Sequence, residues 1–125
     1  MAVTYTTAVK TARMAAVNTA IGTAGVLEIG TSAMASILAT IPLANPAGTV
    51  SNGVLTLTMP RSDASADNTG VPAVARIRTA SGGTDIITGL TVTLIGGGGD
   101  VQLDSLSITA GQNVTVDSAT LTHAA

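Results

Sequence analysis

Residues 74–92 read VARIRTASGGTDIITGLTV, two extended runs joined by a glycine turn. In the first run Ala75, Ile77 and Thr79 alternate with Val74, Arg76 and Arg78, so one face enters a core while the other carries two guanidinium groups. Ser81, Gly82 and Gly83 tolerate the positive φ that a tight turn requires. The stretch predicts a β-hairpin with one exposed cationic edge.

The rest of the chain from Gly25 onward repeats that grammar. Short runs at 26–29, 36–43 and 54–59 are separated by clusters of Gly, Pro, Asn and Ser, and Leu55, Leu57 and Met59 give the cleanest alternation. Pro42 places the end of the second run on a sheet edge or beyond the ladder. Residues 60–72, PRSDASADNTGVP, are too long for a hairpin turn and too polar for a buried element. Further extended segments follow at Leu90 to Ile95, at Val101 and Leu103, at Leu106 and Ile108, at Val114 and Val116, and at Ala119 and Leu121. Strands at this spacing predict a mainly β fold: a β-sandwich or small barrel of about seven to nine short antiparallel strands.

One helix precedes them. Thr7 to Ile21 places Val9, Ala12, Ala16 and Ala20 along one side with Val17 and Ile21 adjoining; Thr6 or Thr7 caps its start and Gly22 ends it. The alanine stripe is the expected packing face, covering an edge or face of the sheet. Residues 1–24 thus form an N-terminal arm and helix and residues 25–125 the β domain, a single folded unit.

Composition narrows function. The chain has 125 residues, one domain's length, with 46% apolar but only 10% charged residues, no Phe or Trp, and Tyr5 as its one aromatic. Twenty-one threonines supply β-branched side chains that favour extended backbone and show a hydroxyl to water. The net charge is −2, and the five basic residues, Lys10, Arg13, Arg61, Arg76 and Arg78, form no stripe along which a nucleic-acid backbone would lie. The absence of cysteine excludes disulfides and thiolate metal sites. No apolar run approaches membrane-spanning length, and Lys10, Thr11, Arg13 and Asn18 interrupt any signal-like segment, so the reading is a protein made in the cytoplasm without membrane partner.

Candidate chemistry is sparse. Gly96 to Gly99 with Asp100 lacks the Gly-Lys-Ser/Thr of a phosphate loop and the tandem repeats of a calcium β-roll, and reads as a flexible strand connection. Asp63, Ser65 and Asp67 are spaced like the start of a calcium loop, but the turn glycine and the bidentate glutamate are missing. His123, the sole histidine, has no companion ligand or acid–base partner nearby. Asp100 and Asp104, four strand positions apart, lie about 13 Å from each other and suit no glycosidase pair. Asn113-Val114-Thr115 matches a glycosylation sequon without a secretory context. No nucleophile–base pair, metal cluster or cofactor loop is evident, which predicts a non-enzymatic protein with no cofactor and no metal.

Several segments, TTAVKTARMAAV, LEIGTSAMASILATIPL, GTVSNGVLTLTMP, AVARIRTASGGTDIITGLTV and ITAGQNVTVDSATLTH, resemble small β-rich virion structural proteins of tailed bacteriophages. The resemblance covers most of the chain and rests on turn and strand patterns in combination. It implies a head-decoration or cement protein on the capsid exterior, reached from the host cytoplasm during assembly. It further implies a homo-oligomer, commonly a trimer, that clamps neighbouring subunits of the major capsid protein. A tail-tube, baseplate or fibre-associated role is the alternative within that group; a carbohydrate-binding or adhesin module is the alternative from another class. The residues assigned to subunit contacts on this reading are Arg61, Asp63 and Asp67 of the polar loop and Arg76 and Arg78 of the hairpin, together with the N-terminal arm.

Overall fold

The computed structural model describes residues 4–122. His123 lies outside the described residues.

Helix α1 spans Thr7–Ile21. Thr6 caps it, its Oγ1 accepting the Val9 N–H at 3.3 Å, and Gly22 ends it at φ 73°, its N–H donating to the Thr19 carbonyl. These are the boundaries the sequence predicts. The packing face is not. Met14 and Ile21 are buried and Val17 packs beside them, whereas Val9, Ala12, Ala16 and Ala20 face solvent. The larger side chains decide the rotation, because each removes more apolar surface from water than an alanine methyl. Gly25 makes room: a Cβ there would stand 2.2 Å from Ile21 Cγ2.

Nine strands follow: β1 (Val26–Gly30), β2 (Ile37–Pro42), β3 (Gly48–Ser51), β4 (Val54–Leu57), β5 (Arg61–Asp63), β6 (Val74–Arg78), β7 (Asp85–Leu94), β8 (Val101–Leu103) and β9 (Val114–Thr122). They form one sheet in the order β2-β1-β6-β7-β8-β9-β4-β3, with β5 also paired to β9. The sheet curls into a half-barrel. Leu27, Ile29, Leu38, Ile41, Leu55, Ile77 and Leu103 are fully buried within the core, and Met14, Val17 and Ile21 of α1 join that cluster.

The hairpin of residues 74–92 forms as predicted, β6 and β7 joined by a turn in which Gly82 has φ 73° and Thr79 N–H donates to Thr84 O. A second hairpin, β3–β4, is built on Asn52 (φ 52°) and Gly53 (φ 76°), the pair of left-handed residues that a two-residue hairpin turn needs. Strand β9 is a single run through Val114, Val116, Ala119 and Leu121, where the alternation read as two segments; around Asp117 its register to β8 shifts, which hides the continuity. Leu106 and Ile108 do not form a strand, and Ile108 makes only one bridge, to Gly70. Strand β5 and that bridge lie inside the stretch 60–72, so the polar loop is built into the sheet.

The expectation of a wholly antiparallel sheet fails at one place: β7 and β8 run parallel, Val92 beside Val101 and Leu94 beside Leu103. Parallel neighbours ordinarily need a crossover of a dozen or more residues. Here residues 95–100 suffice, because the tetraglycine folds directly back over Thr93. Gly96 and Gly98 adopt φ 84° and 83°, and Gly97 and Gly99 lie so close to Thr93 that a Cβ on either would approach its side chain to 2.7 and 2.8 Å. Gly99 N–H donates to Thr93 Oγ1 at 3.0 Å and Gly97 N–H to the Leu94 carbonyl at 2.9 Å. The segment read as a flexible connection is a fixed return loop.

Candidate contact surfaces

The two arginines of the hairpin do not form an exposed cationic edge. Strand β6 sits between β1 and β7, and its register sets Arg76 opposite Glu28 and Arg78 opposite both Val26 and Asp85. Glu28, with a side chain 2% exposed, receives a hydrogen bond from Arg76 Nε at 2.6 Å, and Arg78 Nη1 lies 3.8 Å from the same oxygen. Asp85 Oδ1 stands 2.8 Å from Arg78 Nε and 4.0 Å from Arg76 Nε. The Arg78 Nε–H points off the carboxylate, so this contact is one of charge without a hydrogen bond. Two cations and two anions cancel, and the half-buried arginines shield a glutamate that would otherwise sit desolvated and alone. Sequence reasoning missed Glu28. Its signal was an acid inside the apolar run VLEIG, which in a sheet demands a cation on a neighbouring strand.

The polar loop supplies a second internal contact. Strand β2 ends the sheet, and its outer backbone groups are satisfied by the segment that begins at β5. Asp63 Oδ2 accepts the Thr40 N–H at 3.0 Å, Asp67 N–H donates to the Leu38 carbonyl at 2.7 Å, and Asn68 Nδ2 donates to the Ile37 carbonyl at 2.8 Å. Arg61 Nε donates to the Pro42 carbonyl, and Thr40 Oγ1 donates to Asp67 Oδ2 at 2.9 Å. A row of side chains and backbone N–H groups thereby replaces the missing neighbour strand, which is how an open sheet avoids offering its edge to other chains. Asp63 Oδ1 accepts the Ser65 N–H at 3.0 Å. The Asp63–Ser65–Asp67 spacing thus serves a local turn and a strand edge, and Arg61, Asp63 and Asp67 are engaged within the domain.

The opposite end of the sheet is guarded by α1. Asn18 Nδ2 donates to the Gly48 carbonyl of β3 at 3.1 Å, and Thr11 Oγ1 accepts the Gly53 N–H at 2.9 Å. The β2 edge is thus covered along its length, while on β3 the helix engages the Gly48 carbonyl.

Beside Tyr5 and Val9 near the helix start, three large apolar side chains of the β domain are exposed. Val71, Leu94 and Ile95 are 66%, 46% and 55% exposed. The β6–β7 register pairs Val74 with Thr91, so Val71, three residues before the one, and Leu94, three residues after the other, lie at the same end of the half-barrel. Both segments are held: Ala73 N–H donates to Gly30 O, Gly70 pairs with Ile108, and Ile95 N–H donates to Leu103 O at 3.1 Å. Leu94 has the parity of Leu90 and Val92, which pack on the core, but is itself exposed.

Asp100 belongs to the return loop. Its Oδ2 accepts both the N–H and the hydroxyl of Thr91 at 3.0 Å, and its own N–H donates to Thr91 Oγ1 at 2.9 Å. Tyr5 stacks with Arg13, whose guanidinium carbon lies 4.6 Å from the ring centroid. Among the described residues there is no pocket and no group of three His, Cys, Asp or Glu side chains placed to hold a metal ion, and no helix is long and apolar enough to cross a membrane. Comparison with known proteins finds no match to a family model, to a curated protein or to a solved structure.

Proposed function

We propose that this chain is a non-enzymatic structural protein of a tailed-phage virion, seated on the capsid exterior, where a homo-oligomer, a trimer on this reading, clamps neighbouring subunits of the major capsid protein. The observation that carries the reading is the exposed trio Val71, Leu94 and Ile95 at one end of a half-barrel whose β2 edge and four strand charges are engaged internally. A patch of this kind covers a few hundred Å² at most, well short of the roughly 800 Å² per partner of a standard interface. One such contact holds weakly, and many arrayed on a symmetric shell hold firmly. The segments resembling phage virion proteins cover most of the chain, and one of them, AVARIRTASGGTDIITGLTV at residues 73–92, lies between Val71 and Leu94 in sequence.

Contact through an apolar end places attachment on packing and not on the arginines. Arg76, Arg78, Arg61, Asp63 and Asp67 then act indirectly, by holding the shape of the surface. Localisation tests the reading: immunogold labelling of intact virions marks the head if the chain decorates the capsid, and labelling along the tail would replace this role with the tail-associated one.

A further inference from the structure

We propose that Asn52-Gly53 is a spontaneous deamidation site held shut by docking of α1, so that its rate of reaction reports the fraction of time the helix is detached. In this reaction the Gly53 backbone nitrogen attacks the Asn52 side-chain carbonyl carbon, an N–C bond forms, the C–N bond of the amide breaks, and ammonia leaves with the proton given up by the Gly53 amide. Water then opens the succinimide to aspartate or to isoaspartate, with no oxidant or other reagent. A following glycine favours attack because no side chain hinders the nitrogen, and Asn52 is exposed at a turn tip.

The nucleophile is not free. Gly53 is buried although its neighbour is exposed, and its N–H donates to Thr11 Oγ1 at 2.9 Å. The same hydroxyl donates to the Thr7 carbonyl at 2.9 Å, which fixes its lone pairs toward Gly53. The Lys10 stem closes over the site, its Cβ 2.9 Å from where a Gly53 Cβ would stand. Attack requires this N–H to lose its acceptor and the turn to leave its left-handed geometry, Asn52 φ 52° and Gly53 φ 76°. Lifting of α1 removes the acceptor and takes the Lys10 stem off the turn in one step. Once formed, isoaspartate adds a backbone methylene to a two-residue turn, which the β3–β4 register cannot absorb, whereas aspartate leaves the backbone of the turn unchanged. Loss of ammonia makes the change irreversible, and the isoaspartate product disturbs the turn on which α1 docks.

The test follows ammonia loss at Asn52 by peptide mass and by isoaspartate labelling, in the full chain and in a synthetic peptide of residues 50–57, at mildly alkaline pH. The folded chain is expected to react at least about ten-fold more slowly than the peptide, the suppression that a local opening equilibrium imposes. Thr11→Val, which keeps the shape and removes the acceptor, should accelerate the reaction several-fold, while Thr11→Ser restores the slow rate. In the unaltered protein, amide hydrogen exchange at Gly53 and the deamidation rate should rise in parallel with low denaturant, a readout that stands even if Thr11→Val unfolds. Equal rates in chain and peptide, equal rates in native and well-folded Thr11→Val, or deamidation that ignores the exchange rate of Gly53 would each overturn the proposal.

Discussion

Glu28 and Arg76 face each other across the β1–β6 ladder, with Arg76 Nε 2.6 Å from Glu28 Oε1 and the glutamate side chain 2% exposed. The arginines of the hairpin therefore support folding before they can support attachment. Replacing both Arg76 and Arg78 by alanine strands a buried carboxylate, and we predict a loss of about 3 kcal/mol in denaturant unfolding, the usual cost of removing one side of a buried ion pair. Unchanged stability, with weaker attachment to particles, would return both residues to the exposed surface.

The β2 edge gives a second prediction. Asp63→Ala removes the acceptor of two backbone N–H groups, those of Thr40 and Ser65. A loss of about 1–2 kcal/mol is expected, since the buried edge amide keeps its desolvation cost without a partner. Hydrogen exchange should show faster exchange at Thr40 while β6 and β7 keep their protection. Uniform acceleration across the sheet would mean that this edge does not open independently.

The return loop supplies a third. Gly99→Ala forces a methyl to within 2.8 Å of Thr93 Cγ2 and should cost about 1–3 kcal/mol, as overpacking does. Thr93→Ala removes the obstructing atoms and also the hydroxyl that holds Gly99 N–H. In a double-mutant cycle the two changes should couple, the pair costing less than the sum of the singles by at least about 0.5 kcal/mol. Strict additivity would show that Thr93 does not shape the loop.

The exposed trio yields the opposite pattern. Exchanging Val71, Leu94 and Ile95 for threonine should leave thermal stability within about 0.5 kcal/mol per site, because surface positions contribute little to folding. Attachment to particles should fall sharply. A stable variant that still attaches at full strength would remove these residues from the interface.

How much of this was legible in the sequence follows from the range over which each signal acts. Helix α1 was legible to the residue at both ends, because Thr6 and Gly22 act locally on the backbone. Its rotation was not, since alanine spacing competes with three larger side chains, one of which, Ile21, packs in the space left by Gly25, a residue outside the helix. The hairpin 74–92 was legible because alternation and turn lie in one stretch. Its partner Glu28, 48 positions from Arg76, was not, for nothing in either strand states which neighbour it will pair with. The tetraglycine showed that a chain could bend there, while the clasp by Thr93 and Asp100 that turns the bend into a parallel return is a matter of three-dimensional packing. Asn52-Gly53 was a legible hairpin signal that the strand reading of 54–59 passed over. The candidate contacts were the least legible: charge marked Arg61, Asp63, Asp67, Arg76 and Arg78, and each also bonds or pairs with a neighbouring strand of its own fold, Asp67 while remaining exposed.

The most direct test of the central claim is quantitative binding of the purified protein to expanded, undecorated capsids of the phage that encodes it, followed by co-sedimentation. The account predicts saturable binding at a stoichiometry set by the shell's local symmetry axes, insensitive to moderate salt because the contact is apolar, and lost in the Val71/Leu94/Ile95 threonine variant. Absence of binding to such capsids by folded protein, or binding that salt abolishes and the threonine variant retains, would contradict it.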